Sequence, residues 1–158
     1  MKPLPANKAL ETFFLEARCK LLDIAAILET IADDATDAGQ KVQLEGPRSF
    51  VISGRHLALK RPLTNLVQNA VKYGGEAKVS TVPDGTWVHI SIDDNGPGIP
   101  AEKLESVFEP FYRIETSRSR TTGGHGLGLT VARSILRAHS GDVVLSNRES
   151  GGLKTTVT

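Results

Sequence analysis

Residues 55–73 read RHLALKRPLTNLVQNAVKY, and this stretch decides the fold that the sequence predicts. On a helical period of about 3.6 residues, apolar side chains fall on one side and polar side chains on the other. The apolar side contains Leu59, Leu63, Leu66 and Ala70. We therefore predict a long helix from about Arg55 to Tyr73 that packs its apolar side on a sheet. Because proline lacks a backbone donor, we also expect a kink or an irregular turn at Pro62.

The polar side of this predicted helix carries two carboxamides and an ammonium, with a phenol at its edge: Asn65, Asn69, Lys72 and Tyr73. A carboxamide oxygen is a hard, neutral ligand that suits Mg²⁺, a cation that prefers oxygen and keeps several waters. Lys72 lies on the same side as Asn69 and can meet phosphate groups. A solvated helix surface would contain the same residue types, so this stretch alone leaves both interpretations open.

Helices are predicted on both sides of this stretch. Apolar residues at helical spacing predict a short helix over residues 8–20 and a second helix that begins after an N-cap at Asp23 and ends before Gly39. Residues 100–108 predict a short helix, and a last helix runs from about 127 to 139. Residues 113–124, which are rich in Ser, Thr, Arg and Gly, predict a mobile loop.

Strands are predicted in pairs along the rest of the chain. The pairs are residues 42–44 with 50–52, residues 77–82 with 87–93, and residues 142–147 with 152–157. Turn residues such as Gly46 and Pro47 between the members of a pair favour hairpins. This order predicts an α+β fold, a two-layer α/β sandwich in which a mixed, mostly antiparallel sheet carries helices on one face.

Composition narrows the possible partners. The 158 residues include 19 Lys and Arg against 18 Asp and Glu, a formal net charge of +1, so we expect no nucleic-acid partner. The single cysteine, Cys19, can build neither an intramolecular disulfide nor a cysteine-based zinc site, which favours a reducing, cytoplasmic compartment. The sequence shows neither a membrane helix nor a signal peptide, so we expect this chain to make no direct membrane contact, although a larger parent protein can sit in a membrane.

A second polar segment, DDNGPGI at residues 93–99, directly follows a predicted strand. Two glycines after a strand end allow the backbone to approach a flat ligand closely. The carboxylate of Asp94 can accept a hydrogen bond from the exocyclic amine of adenine, whereas guanine presents an acceptor at that position and would leave the carboxylate unpaired. A polar turn without a ligand explains the segment about equally well when it is considered alone.

A third segment, GGHGLGL at residues 123–129, precedes the last predicted helix. Glycines before a helix leave backbone N–H groups and the positive end of the helix dipole available to an anion. The segment lacks the Lys and Ser or Thr of a P-loop, and it does not follow the strand of a dinucleotide-binding unit. Alone, it is weak support for a phosphate site.

The three segments occur in one order, and together they resemble the ATP-binding catalytic domain of sensor histidine kinases. That domain belongs to the gyrase, chaperone, kinase and mismatch-repair ATP-binding superfamily. NLVQNAVKYG looks like the kinase N box, DDNGPGI like the G1 box, FEPFYR at residues 108–113 like the F box, and GHGLGL like the G2 box. The resemblance covers residues 22–158 and includes a closing glycine turn at Gly151-Gly152-Leu153.

The resemblance implies a role for each matching residue of the first two boxes. Asn69 would ligate Mg²⁺ with support from Asn65, Lys72 would meet phosphate, and Tyr73 would lie against the adenine. Asp94 would accept the adenine amine. Gly96, Gly98 and Ile99 would also bind the cofactor, and the two glycines would leave room for the base.

The F and G2 boxes would complete the site. Phe108 and Phe111 would anchor the base of an ATP lid over residues 114–124, and Arg113 would reach the γ-phosphate. The residues that would cradle the phosphates are Gly124, His125, Gly126, Leu127 and Gly128. The implied catalytic set is Asn69, Lys72 and Arg113, and the implied cofactors are ATP and Mg²⁺.

The resemblance also implies a reaction and its partners. The domain would donate the γ-phosphoryl group of ATP to a histidine on a dimerisation domain that this chain lacks, with a response regulator downstream. Residues 1–21 would be the end of a dimerisation helix, and residues 22–158 the catalytic domain. Two alternatives stay open: a nucleotide-sensing module without catalysis, and an anti-sigma-type serine kinase of the same superfamily.

Overall fold

A computed structural model describes residues 20–54, 56–114 and 126–158. The strands are β1 (Lys20–Asp23), β2 (Lys41–Glu45), β3 (Val51–Gly54), β4 (Glu76–Asp84), β5 (Trp87–Asp94), β6 (Val143–Asn147) and β7 (Leu153–Val157). Five of them form the main sheet in the order β2-β4-β5-β7-β6, and β1 and β3 form a small separate sheet. The pairs β4–β5, β5–β7 and β6–β7 are antiparallel, which confirms the predicted mixed, mostly antiparallel sheet.

The predicted hairpin of residues 42–44 with 50–52 is wrong. Strand β2 instead pairs in parallel with β4, with Val42 opposite Ala77, and β3 pairs antiparallel with β1, with Ile52 opposite Leu22. A parallel pair needs a crossover connection, and the long helix between β3 and β4 supplies it.

Three helices are described: α1 (Ile24–Asp37), α2 (His56–Gly74) and α3 (Gly128–Ala138). Their apolar sides and the inward residues of the main sheet form one buried core that includes Ile27, Leu63, Leu66, Ile92 and Val143. Because strand residues alternate, Asp94 faces this helix side of the sheet, like Ile92, whereas Asp93 faces the other side. The prediction of helices on one face is therefore confirmed.

Helix α2 continues through Pro62 without a break, and the kink expected there stays a prediction. Pro62 is the seventh residue of the helix, and its ring is fully buried in the core. A proline at this position removes only the backbone hydrogen bond to Ala58, which lies in the first turn of the helix. Burial of the ring offsets part of that loss.

The start of α1 is tied to the segment before β3 through Asp23. Its carboxylate Oδ1 accepts hydrogen bonds from the N–H groups of Ala25, at 3.0 Å, and Phe50, at 2.9 Å, which confirms the predicted N-cap. Hydrogen bonds from the Ser49 hydroxyl and the Phe50 N–H lower the pKa of Asp23 below its ordinary value. This cap, together with the bond from the Ile24 N–H to the Phe50 carbonyl at 2.8 Å, brings β3 beside β1 rather than beside β2.

Two further expectations concern short segments. The helix predicted over residues 8–20 lies outside the described residues except for Lys20, which belongs to β1 and not to a helix. Strand β1 also crosses the division that we predicted between residues 21 and 22. Residues 100–108 form two 3₁₀ helices, Ala101–Lys103 and Ser106–Phe108, rather than one α-helix, and the second of them buries Val107 and Phe108.

Candidate nucleotide-binding site

Asp94 ends strand β5 and is buried, with 6% of its surface exposed. Its carboxylate Oδ1 accepts hydrogen bonds from the N–H groups of Gly96, at 2.8 Å, and Leu153, at 3.2 Å. Both hydrogen bonds that described residues donate to this carboxylate reach Oδ1, so Oδ2 keeps its capacity to accept. Asp94 therefore forms the polar turn, and its carboxylate still has an oxygen that can accept a further donor.

The backbone approaches Asp94 closely because its neighbours are glycines. A Cβ atom at Gly96 would lie 2.8 Å from the carbonyl oxygen of Tyr73 and 3.0 Å from Asp94 Oδ1. Gly98 has φ +72°, and a Cβ there would lie 2.6 Å from Asn147 Oδ1. Only glycine fits these positions without a shift of backbone or side chains. The end of α2 and the turn over residues 94–99 are thus in direct contact.

The β6–β7 turn, residues 147–153, contacts the same turn. Its segment Gly151-Gly152-Leu153 was part of the family resemblance, whereas Asn147 and Arg148 were missed by the sequence reasoning. Asn147 accepts a hydrogen bond from the N–H of Ile99 at 2.9 Å and donates one to the Ile99 carbonyl at 2.6 Å. Arg148 donates to the Asp94 carbonyl at 2.6 Å and to Asn95 Oδ1 at 3.0 Å. No local sequence signal marks these two residues, because their position depends on the pairing of β5 with β7.

The structure places the predicted polar side chains of α2 as follows. Asn65 and Asn69 are partly buried, whereas Lys72 and Tyr73 are exposed. The amide of Asn69 makes no hydrogen bond with any described residue, so its oxygen can accept a ligand. The Lys72 ammonium lies 5.1 Å from the ring centre of Tyr73, within the range of a cation–π contact.

Helix α3 begins beside this polar side of α2. Asn65 Nδ2 lies 3.5 Å from the Gly128 carbonyl, the limit of a hydrogen bond. The N-cap residue of α3 is Leu127, and no side chain of the described residues caps the first turn, so its first N–H groups can meet an anion. The structure thus brings Asn65 and Gly128 together at the start of α3.

The F-box residues lie against the start of α3. Phe108 is buried, and its carbonyl accepts a hydrogen bond from the Thr130 hydroxyl at 2.8 Å. The N–H of Phe111, an exposed residue with φ +64°, donates to the Gly126 carbonyl at 3.0 Å. Arg113 is exposed, and no described residue forms an ion pair with it. The predicted phosphate residues Gly124 and His125, and most of the predicted lid, lie outside the described residues.

A charge cluster fixes the far side of α3 to the end of the sheet. Arg133 pairs with Glu105 and with Asp142 at 3.0 Å, and its guanidinium carbon lies 4.3 Å from the ring centre of Phe108. Arg137 also pairs with Asp142, at 3.0 Å. Hydrogen bonds from Arg137, from the Val143 N–H and from Arg133 lower the pKa of Asp142 from 3.8 to about 2. The cluster therefore helps to set the position of α3, whose first turn belongs to the candidate site.

Comparison with known proteins agrees with this geometry. Residues 54–158 match the family of histidine kinase-, DNA gyrase B- and HSP90-like ATPases. The chain is 29% identical to the crystal structure of the ATP-binding domain of PrrB from Mycobacterium tuberculosis, with a TM-score of 0.71 over 88% of this chain and 94% of that one. The chain therefore belongs to this family and corresponds to the ATP-binding catalytic domain of a sensor histidine kinase, which confirms the family resemblance.

Two curated relatives are longer proteins. The sensor histidine kinase GtrS of Pseudomonas aeruginosa is 39% identical over 136 residues, which cover 86% of this chain and 28% of GtrS. The sensor protein CutS of Streptomyces coelicolor is 36% identical over 146 residues, which cover 88% of this chain and 35% of CutS. The chain thus spans about a third of the length of these relatives. In the part of the chain that the structure describes, no helix is long and apolar enough to cross a bilayer.

Proposed function

We propose that the chain binds Mg·ATP between the polar side of α2, the turn over residues 94–99 and the start of α3, and that it donates the γ-phosphoryl group to a histidine of a separate domain. The observation that carries this proposal is Asp94, a buried carboxylate whose Oδ1 is held by two backbone N–H groups while Oδ2 keeps its capacity to accept. This arrangement presents a fixed acceptor to a donor on a flat base.

Adenine fits that acceptor and guanine does not. The exocyclic amine of adenine would donate to Asp94 Oδ2, and Gly96 and Gly98 would allow the base to lie against the turn near Ile99. Guanine would turn a carbonyl oxygen toward the carboxylate, leaving a buried polar atom unpaired, at a cost of about 1–3 kcal/mol. Tyr73, at the exposed end of α2, would cover the open side of the base.

The phosphate end would lie toward α3. The first turn of this helix, with Gly126, Leu127 and Gly128, is capped by no described side chain and offers backbone N–H groups and the positive end of a helix dipole. Lys72 and Arg113 would add positive charge on the side of the γ-phosphate. Gly124 and His125 belong to the same proposed loop.

The residues present also fit Mg²⁺. Asn69 offers a neutral carboxamide oxygen that no described residue occupies, and nucleotide phosphates supply the other oxygens that this cation prefers. Asn69 would hold the cation, with Asn65 beside it. When bound, the cation would neutralise charge on the phosphates.

The reaction would require positioning and charge neutralisation more than proton transfer. A neutral imidazole nitrogen has a lone pair, so it can form the N–P bond as the O–P bond to ADP breaks, without a general base on this domain. Asn65 occupies the position where the resemblance implies a catalytic Glu in hydrolysing relatives, and an amide cannot accept that proton. We therefore expect slow hydrolysis of ATP by this chain.

The partners follow from the same proposal. The acceptor histidine would lie on a dimerisation domain, to which residues 1–21 would connect the catalytic domain of residues 22–158. A response regulator would receive the phosphoryl group, and the whole protein would be a cytoplasmic or inner-membrane sensor. The sensor names of the relatives GtrS and CutS support this assignment.

The test combines calorimetry with a transfer assay. The folded chain should bind Mg·ATP, and with γ-labelled ATP it should label a separately expressed histidine kinase acceptor domain with an acid-labile phosphate. Tight binding without labelling would favour the non-catalytic nucleotide-sensing module. An acid-stable phosphoserine product would favour the anti-sigma-type kinase. No binding of ATP by the folded chain would reject the proposal.

A further inference from the structure

The β6–β7 turn forms several hydrogen bonds with the turn over residues 94–99, which contains Asp94. Arg148 Nη1 donates to the Asp94 carbonyl at 2.6 Å and to Asn95 Oδ1 at 3.0 Å, while its Nε lies 3.8 Å from Asp93 Oδ2. One guanidinium thus contacts three consecutive residues at the end of β5. Its planar fork of donors suits this task better than a single ammonium would.

Asn147 fixes the other end of the same turn. Its carboxamide forms a reciprocal pair with the backbone of Ile99, donating to the carbonyl and accepting from the N–H. A reciprocal pair of this kind sets the orientation of the peptide as well as its position. Together, Asn147 and Arg148 anchor both ends of the segment from Asp94 to Ile99.

The turn also contacts the carboxylate itself. The Leu153 N–H donates to Asp94 Oδ1, and a Cβ atom at Gly152 would overlap the Asp94 carbonyl. The backbone closes this turn, because the Arg148 N–H donates to the Gly152 carbonyl and the Arg148 carbonyl accepts from the Gly151 N–H, both at 3.0 Å. These backbone bonds do not depend on the side chain, so a substitution at Arg148 removes only the contacts of its guanidinium with the end of β5.

We infer that Arg148 and Asn147 are positioning residues for base recognition: they fix the turn over residues 94–99 so that Asp94 Oδ2 meets the 6-amino group of adenine. This inference rests on the proposed function. It assigns to the β6–β7 turn a role in choosing the base, without contact between Arg148 and the nucleotide. A purely structural role would weaken the binding of all nucleotides together, whereas a positioning role weakens those that carry the 6-amino group.

Calorimetry with two nucleotides separates these roles. The 158-residue chain is titrated with Mg·ATP and with the Mg²⁺ complex of purine riboside triphosphate, which has hydrogen in place of the 6-amino group. Arg148→Ala should weaken ATP binding about tenfold, as expected when one charge-assisted hydrogen bond is lost. The same variant should change binding of the analogue less than about twofold, because the analogue lacks the group that Asp94 meets.

Two further variants sharpen the test. Arg148→Lys keeps the charge but not the fork, so its preference for ATP should fall between that of the wild type and that of Arg148→Ala. Arg48→Ala is the matched control, since it removes an exposed arginine between β2 and β3 that pairs with no described residue. Its preference for ATP should equal that of the wild type.

Asn147→Asp tests the inference independently if Arg148→Ala does not fold. This substitution keeps the acceptor for the Ile99 N–H but sets a carboxylate oxygen against the Ile99 carbonyl. It should also reduce the preference for ATP over the analogue, with the far-ultraviolet circular dichroism of the wild type retained.

The outcomes distinguish this inference from the proposed function. A wild-type chain that binds neither nucleotide, or binds both equally, rejects base recognition by Asp94 itself. A wild type that prefers ATP, with folded Arg148 and Asn147 variants that keep this preference, overturns the positioning role alone. An equal loss of affinity for both nucleotides in these variants also overturns it, because it indicates a general structural effect.

Discussion

Gly74, the last residue of α2, lies so close to Asp94 that a Cβ atom on this glycine would be 2.6 Å from the Cβ of the aspartate and 2.8 Å from the Asn95 nitrogen. The helix that carries Asn65 and Asn69 therefore touches the residue proposed to bind adenine. No side chain larger than hydrogen fits between them. This contact therefore sets the distance between Asp94, at the base end of the candidate site, and the polar side of α2, at its phosphate end.

Substitution of that glycine tests the contact. Gly74→Ala should displace Asp94, destabilise the fold by about 1–3 kcal/mol through overpacking, and weaken ATP binding. Gly39→Ala is the control: Gly39 has φ +75° and no neighbour within 4 Å, so alanine there should cost about 1–2 kcal/mol of backbone strain and leave ATP binding unchanged. Chemical denaturation and calorimetry measure both effects. Wild-type ATP affinity in Gly74→Ala would contradict the tight contact.

Asp94→Asn tests the acceptor directly. The amide can turn its N–H₂ group toward the adenine amine, so a charge-assisted hydrogen bond becomes a clash of two donors. We expect ATP binding to weaken by about tenfold or more, as measured by calorimetry. Asp84→Asn, which changes an exposed aspartate at the end of β4, should bind like the wild type. Unchanged affinity in Asp94→Asn would remove Asp94 from base recognition.

Asn69→Ala tests the proposed magnesium ligand. ATP affinity is measured with Mg²⁺ and with chelator, and the ratio of the two dissociation constants gives the magnesium-dependent part of binding. This ratio should shrink in Asn69→Ala, because the carboxamide oxygen that suits the cation is gone. Gln68→Ala removes the adjacent, exposed carboxamide of α2 and should keep the wild-type ratio. An equal loss with and without Mg²⁺ would argue against metal ligation by Asn69.

Asp142 predicts a pH-dependent part of the stability. Its pKa is lowered from 3.8 to about 2 in the folded chain by hydrogen bonds from Arg137, Val143 and Arg133. A carboxyl whose pKa is lowered on folding stabilises the fold above its unfolded pKa, and this contribution is lost as the pH falls through the folded pKa. Because the side chain is 41% exposed, solvent screening reduces the contribution to roughly 1 kcal/mol.

The measurement is urea unfolding of the wild type and Asp142→Asn at several pH values. The variant should be less stable at pH 7, and the difference should narrow as the pH falls from about 4 to about 2. Asp33→Asn removes an exposed carboxylate of α1 that forms no ion pair in the described part of the chain, and it should show no such trend. A difference that is constant with pH would contradict the role of the Asp142 charge.

The elements that local sequence predicted well are those whose pairing is also local. The β4–β5 hairpin, α2 and the Asp23 cap of α1 depend on turn residues, helical periodicity and a capping side chain within a short stretch. The partner of β2 was predicted wrongly because its true partner, β4, lies far along the chain. The turn residues Gly46 and Pro47 indicate a change of direction but not which strand comes next in the sheet, and the crossover through α2 decides it.

The residues of the candidate site also differ in whether a local sequence pattern marks them. Asn69 and Asp94 were predicted as site residues because each lies in a patterned segment: Asn69 on the polar side of a helix, and Asp94 at a strand end followed by glycines. Asn147 and Arg148 were not found, because they are 48 and 54 residues away from their partners Ile99 and Asp94, and only the completed sheet brings them together. The roles of Gly124 and His125 stay predictions.

The bond from Leu153 to Asp94 joins residues that are 59 positions apart. In a nascent or truncated chain, this carboxylate would not be oriented until β7 has joined the sheet. We therefore expect adenine nucleotides to bind the complete fold and not partially folded forms of the chain. Binding only to the completed fold makes the ligand a thermodynamic stabiliser, worth about 2.7 kcal/mol at a hundred times its dissociation constant. Cellular ATP would then protect the mature domain from proteolysis as well as serve as its phosphoryl donor.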